Sequence, residues 1–117
     1  MHYIDGFVAA VSDAQRETYI RYAAEMAQLL KQHGALRVVE CWGDDVPEGK
    51  LTSFPMAVKR EPGESVVFAW IVWPDKGTRD AAHTKLATHP RTQRETNPMP
   101  FDGKRLIYGG FRTVVDV

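Results

Sequence analysis

Residues 3–11, YIDGFVAAV, run almost wholly apolar, with aromatic and β-branched side chains and a single charge at Asp5. A run of this kind predicts a strand covered on both faces. The period then lengthens. After Ser12, with Gln15 placed for a capping box, Tyr19, Tyr22, Ala23, Met26, Leu29, Leu30 and His33 recur at helical spacing, and Gly34 closes the helix. LRVVECW (36–42) is β-rich but carries Arg37 and Glu40, which fits an outer strand. GDDVPEGK (43–50) reads as a turn region, and FPMAVK (54–59) as a short edge strand whose start tolerates Pro55. SVVFAWIVW (65–73) has no charge and is predicted to be central. Pro74 ends it, Asp75 caps a second helix running to His89, and Pro90 forbids continuation. Residues 91–104 are polar and proline-containing, a long surface loop. KRLIYGGFRTVV (104–115) makes the last strand, where Gly109 and Gly110 mark a bulge or the close approach of another group.

The element order is β-α-β-β-α-β with one extra short strand, the ferredoxin-like α+β pattern: one antiparallel sheet with two helices on one face. Its sheet order is 4-1-3-2, which makes the first and third strands central. Those are the two most continuously apolar strands here, so hydropathy and topology agree. The strands also carry large apolar groups on both parities: Tyr3, Phe7, Trp42, Phe68, Trp70, Trp73, Tyr108 and Phe111. Water is a poor cover for the face that the helices leave bare, and pairing with a second copy, sheet to sheet, is the expected solution.

Composition narrows the function classes. A chain of 117 residues is expected to form one domain. Fifteen Lys plus Arg balance fifteen Asp plus Glu, which leaves no positive excess to hold nucleic acid or anionic lipid. The longest apolar run, VVFAWIVW at 66–73, is strand length, so no membrane span is expected. One cysteine forms no internal disulfide, and the N-terminal residues lack the pattern of a signal peptide; both point to the cytoplasm.

YIDGFVAAV, VVECWGDDVPEGK, VVFAWIVWP, RDAAH and MPFDGKRLIYGGF together resemble the YbaA-like family of uncharacterised bacterial proteins, within the dimeric α/β-barrel superfamily. The resemblance implies a ferredoxin-like protomer paired through its sheet, and implies no activity. The wider superfamily spans cofactor-free monooxygenases, haem-degrading oxygenases, haem peroxidases and lactone isomerases. The fold fixes where a ligand sits, between sheet and helices, and not what it is.

Candidate chemistry is sparse. Glu40, Asp44, Asp45 and Glu48 lack the alternating register of a calcium loop, and no metal site is expected. Cys41, without a CxxC partner, is expected to be a small buried strand residue. Glu40 and Asp5 are carboxylates inside strands, each needing a partner; Arg37, Arg105 and Arg112 are candidates for Asp5. His83 lies on the second helix. In the haem-degrading branch such a histidine binds iron, with a tryptophan on the preceding strand and an amide on the first; here the equivalents are Trp73 and the carboxylate of Asp5, a departure that weighs against haem. His33, beside Gly34, complements the helix dipole, and His2 and His89 are expected to be exposed. No GxGxxG or GxxxxGK[ST] motif is present, so no nucleotide cofactor is expected. The leading reading is a planar or hydrophobic organic ligand held by Trp70, Trp73 and Tyr108, with Asp5, Glu40 or His83 as proton acceptor and no cofactor. Its rival is a non-catalytic dimer whose polar strand residues serve only assembly.

Overall fold

A computed structural model describes residues 1–117. The order is β1 (Tyr3–Ser12), a 3-10 turn (Asp13–Gln15), α1 (Arg16–Gln32), β2 (Arg37–Trp42), α2 (Phe54–Ala57), β3 (Glu64–Trp73), α3 (Lys76–Leu86), two further 3-10 turns (Pro90–Thr92 and Gly103–Arg105) and β4 (Ile107–Arg112). Every strand pairing is antiparallel and the sheet order is β2-β3-β1-β4, which is the 4-1-3-2 order expected of a ferredoxin-like α+β fold. No helix is long and apolar enough to cross a membrane.

Cross-strand pairing assigns the faces, because partners in an antiparallel ladder project to the same side. Tyr3, Asp5, Phe7 and Ala9 on β1 share a face with Trp73, Ile71, Ala69 and Val67 on β3, with Val38, Glu40 and Trp42 on β2, and with Arg112, Gly110 and Tyr108 on β4. This face carries the helices. α1 lays Tyr19 and Ala23 on Ala9, Val11 and Val67, while α3 lays Ala82 on Tyr3, Ala35 and Trp73. Trp73 is wholly buried.

The opposite face holds Ile4, Val8, Val66, Phe68, Trp70, Ile107 and Phe111. Only one end of it is covered. Val58, just after α2, is wholly buried against Val8, Ala10 and Val66, and Phe54 meets Phe68 edge-on at 5.9 Å. Beyond that cover Phe68, Ile107 and Phe111 remain exposed. The molecule measures 39 × 38 × 20 Å, and its thin axis is about one sheet plus one helical layer.

Several local expectations are corrected. Residues 54–57 form a helical turn, not an edge strand: the Ser53 side chain accepts from the Met56 N–H at 3.1 Å, and Pro55 sits in the first turn, where its missing N–H costs nothing. Ser12 makes no capping hydrogen bond; it ends β1 opposite Glu64, and a 3-10 turn leads into α1. α3 stops at Leu86, short of His89, and His89 then accepts from the Arg91 N–H to start a 3-10 turn. β4 stops at Arg112 because its partner strand begins at Tyr3, so residues 113–115 have no ladder to extend. Cys41 is exposed rather than buried, since it projects from edge strand β2 to the open face. Gly109 and Gly110 form no bulge. The ladder runs through them, and the close approach is real at Gly110, where a Cβ would lie 2.5 Å from the Tyr3 hydroxyl.

Candidate functional site

Between α1, the helix-bearing face of the sheet and the segment 99–106 lies a cavity of about 250 Å³. Small residues leave the room: Ala23 and Ala27 on α1. Phe7, Met26 and Leu30 supply apolar wall. Met99, Phe101 and Leu106 close it from the long connection before β4, with Phe101 packed on Tyr19 at 5.8 Å between ring centroids. Tyr108 stands at the rim, 80% exposed. The wall is mainly hydrophobic with a few convergent polar groups, the usual makeup of a small-molecule site.

One polar group is Glu40. Alternation along β2 turns it toward α1, where it accepts a hydrogen bond from the Tyr19 hydroxyl at 2.6 Å. Burial raises the Glu40 carboxyl above its ordinary value, and the Tyr19 hydrogen bond opposes the rise. The carboxylate remains open to water on one side, so the penalty is that of a crowded cavity rim rather than a sealed interior. Tyr19 is itself raised, first by burial and then by the neighbouring Glu40 charge, and stays a neutral donor. The partner that a carboxylate inside a strand needs is thus, for Glu40, a hydroxyl and not a cation.

The other is Asp5, on β1 and facing α3. Trp73 Nε1–H donates to its Oδ2 at 2.9 Å from the adjoining strand. Arg79 addresses Oδ1 with Nε at 3.0 Å and with Nη2 at 2.9 Å, and His83 Nε2 lies 3.0 Å from Oδ2. Arg79 and His83 are four residues apart on α3, so one turn of helix presents both to the same carboxylate. Hydrogen bonds that Arg79 donates to Asp5 and then to Asp80 raise its guanidinium further above its ordinary value. The Arg79 plane also lies over Tyr3, 5.5 Å from the ring centroid. Arg37, Arg105 and Arg112, the expected partners of Asp5, play no part. Arg105 instead clamps Glu64 through two contacts of 2.7 and 2.8 Å, tying the last connection to the start of β3.

Asp5, Glu40, His83 and Tyr108 all border the one cavity. The other two candidates separate from them. Trp70 pairs with Gly6 and projects to the open face, on the far side of the sheet, because its register is one residue out of step with Ile71. Trp73 is on the correct face but buried beneath α3, where its indole N–H holds Asp5. The haem reading of His83 does not fit: its Nε2 is engaged by Asp5, and the cavity lies below the 300 Å³ or so at which pockets for drug-sized ligands begin, far short of a macrocycle. No group of three or more metal-ligating side chains is present.

Sequence reasoning missed Arg79, although it stands one helical turn before His83 on the same helix face. It also missed Met99 and Phe101, whose signal was an apolar pair inside an otherwise polar loop. Tyr19 and Met26 were assigned to the helix stripe without the hollow beneath them.

Over residues 2–103 the sequence matches the model of the family described as protein of unknown function, DUF1428. It is 53% identical, over 116 residues and 99% of both chains, to the uncharacterized protein YbaA of Escherichia coli strain K12, and equally to YbaA of Shigella flexneri. The chain belongs to the DUF1428 family. The resemblance to YbaA-like proteins thus extends over nearly all of its length. Among solved structures it is similar to a dimeric ferredoxin-like protein from an uncultured marine organism, with a TM-score of 0.61 and 12% identity over 99% of this chain and 98% of that one. At that identity the likeness is one of fold. For the DUF1428 family, as for YbaA, the description carries no reaction, so the function rests on the cavity.

Proposed function

We propose that this protein binds a compact, mostly apolar organic molecule in the cavity between α1, the sheet and the 99–106 segment. The observation that carries this is the convergence of Glu40, Asp5 and His83 on one apolar hollow of about 250 Å³. A hydrogen-bond-donating group of the ligand, a hydroxyl or an amine, faces Glu40, which has an acceptor oxygen to spare beyond Tyr19. The test is a thermal-shift screen of small organic molecules against the wild type and Ala27→Leu. A ligand that binds only the native state raises the melting temperature, and the added bulk on α1 abolishes that rise without unfolding the protein. Hits that stabilise both proteins equally would remove the cavity from the account.

The working form we propose is a homodimer paired through the open sheet face. Support comes from the 20 Å thin axis, from the exposed Phe68, Ile107 and Phe111 beside Trp70, and from the description of the ferredoxin-like neighbour as dimeric. Sedimentation equilibrium at micromolar concentration decides it: a monomer would end this part of the proposal. The rival reading, a dimer with no ligand, draws on the saturation of Asp5 by Trp73, Arg79 and His83, which is what a purely structural carboxylate would show. It leaves the hollow and Glu40 unexplained.

A further inference from the structure

We propose that His83 is a general base acting on a carbon acid held in this cavity, a compact, largely apolar molecule whose acidic C–H adjoins a carbonyl, and that Asp5 is its positioning residue. This rests on the ligand-binding reading above and adds the chemistry.

The tautomer follows from the contacts. A carboxylate only accepts, and Asp5 Oδ2 already receives Trp73 Nε1–H, so His83 must donate Nε2–H to it. The lone pair of the neutral imidazole is then on Nδ1. That nitrogen has no hydrogen-bond partner in the protein, and the ring borders the cavity. Arg79 keeps Asp5 from turning, because its fork occupies Oδ1. The ring is held from behind by a carboxylate that two other residues hold in turn, the arrangement that fixes a catalytic histidine in a productive orientation.

The far side of the hollow carries the complementary group. Glu40 pairs with Ala69, and Ala69 pairs with Phe7, two residues from Asp5. Two strand spacings and one two-residue step put the Cα atoms of Glu40 and Asp5 roughly 12 Å apart. Side chains reaching inward from both ends leave space for a small molecule between them. Glu40 accepts from the Tyr19 hydroxyl there and keeps an oxygen to spare, which can orient the molecule by accepting from a hydroxyl or amine at its other end. In the step, the C–H bond beside the carbonyl breaks and its proton goes to His83 Nδ1. The electron pair is delocalised onto the carbonyl oxygen. Return of the proton to the same or a conjugated carbon completes an exchange or an isomerisation, with no electron gained or lost.

The experiment uses 2-indanone as the probe, in D2O at neutral pD, with wild-type protein and His83→Gln. The replaced side chain is 46% exposed, so the variant keeps the fold. Binding is read from the methyl resonances of Met26 and Met99, turnover from deuterium entering the α positions, and the tautomer from the 15N shifts of His83. The expected result is binding by both proteins, deuterium entry about 100-fold slower in the variant, and a proton on Nε2 of His83 in the wild type. Equal exchange rates with binding retained would overturn the base while leaving the cavity as a binding site. A proton on Nδ1 would overturn the dyad. Methyl resonances that 2-indanone fails to move would overturn the ketone class, and thermal-shift hits of another class would show that the binding reading survives it.

Discussion

Tyr3, Asp5 and Phe7 look toward the helices while Ile4, Gly6 and Val8, their immediate neighbours along β1, look away, and the two sets meet unlike surroundings. On the covered face two carboxylates sit among apolar groups and each has a named partner: Asp5 has Arg79, His83 and Trp73, and Glu40 has Tyr19. On the open face β1, β3 and β4 present no ionisable side chain away from the Ser12–Glu64 end, only aliphatic and aromatic groups with glycine and alanine. A directional hydrogen bond needs one geometry. An apolar surface needs only to leave water. The first property suits a site and the second an interface, and the proposed ligand cavity and the proposed dimer each rest on one of them.

The comparison is open to breakage in four places. The largest effect belongs to Trp73→Ala, which empties a wholly buried position and strips Asp5 of a donor; urea unfolding is expected to show a loss of about 3–5 kcal/mol, the same at all protein concentrations. Next is Asp5→Asn. Either orientation of the amide turns its NH2 toward N–H donors, those of Arg79 or those of Trp73 and His83, and a loss of about 2–3 kcal/mol in the same assay follows. Phe111→Arg, on the open face and 60% exposed in the protomer, is expected instead to weaken self-association by about 2 kcal/mol in sedimentation while barely changing protomer unfolding. A concentration-independent loss from Phe111→Arg, or a concentration-dependent one from Trp73→Ala, would erase the distinction between the faces.

The smallest effect concerns pH. Because the Glu40 carboxyl is raised in the folded state, the native protein holds this proton more tightly than the unfolded chain does. Its contribution to stability is complete below the ordinary carboxyl value of 4.5 and is lost as pH rises through the folded-state value. Glu64 runs the other way: the hydrogen bond from Arg105 lowers it, so its contribution is present above 4.5 and is lost as pH falls. Glu40→Gln keeps an acceptor for Tyr19 without the charge. It is expected to stabilise the protein at pH 7 by less than about 1 kcal/mol, a small figure because water reaches the carboxylate, with the gain fading in acid. Denaturation midpoints between pH 4 and 7 check it, and a gain that persists in acid would contradict the assignment.

The local reading succeeded where periodicity spoke clearly, at the apolar runs 3–11 and 65–73 and at the α1 stripe. It failed at 54–59, where a serine cap and Pro55 outweighed β-like composition, because the hydrogen bond from Met56 to Ser53 is local chemistry that hydropathy does not record. Asp5, Glu40 and His83 stood out as polar residues in regular elements. Their relations to Arg79, Tyr19 and one another did not, since those partners come from 21 to 78 positions away along the chain.

Hydropathy, turn chemistry and strand parity are properties of neighbours along the chain, and from them the sequence by itself determined the element order, the sheet order and the surplus of apolar surface. Which parity faces the helices, that Trp70 and Ile71 part company, and that the 99–106 segment folds down as a wall over small residues were decided only by the tertiary structure. The physical reason is that a cavity is a failure of three separate elements to fill the space between them, and no one segment encodes that failure.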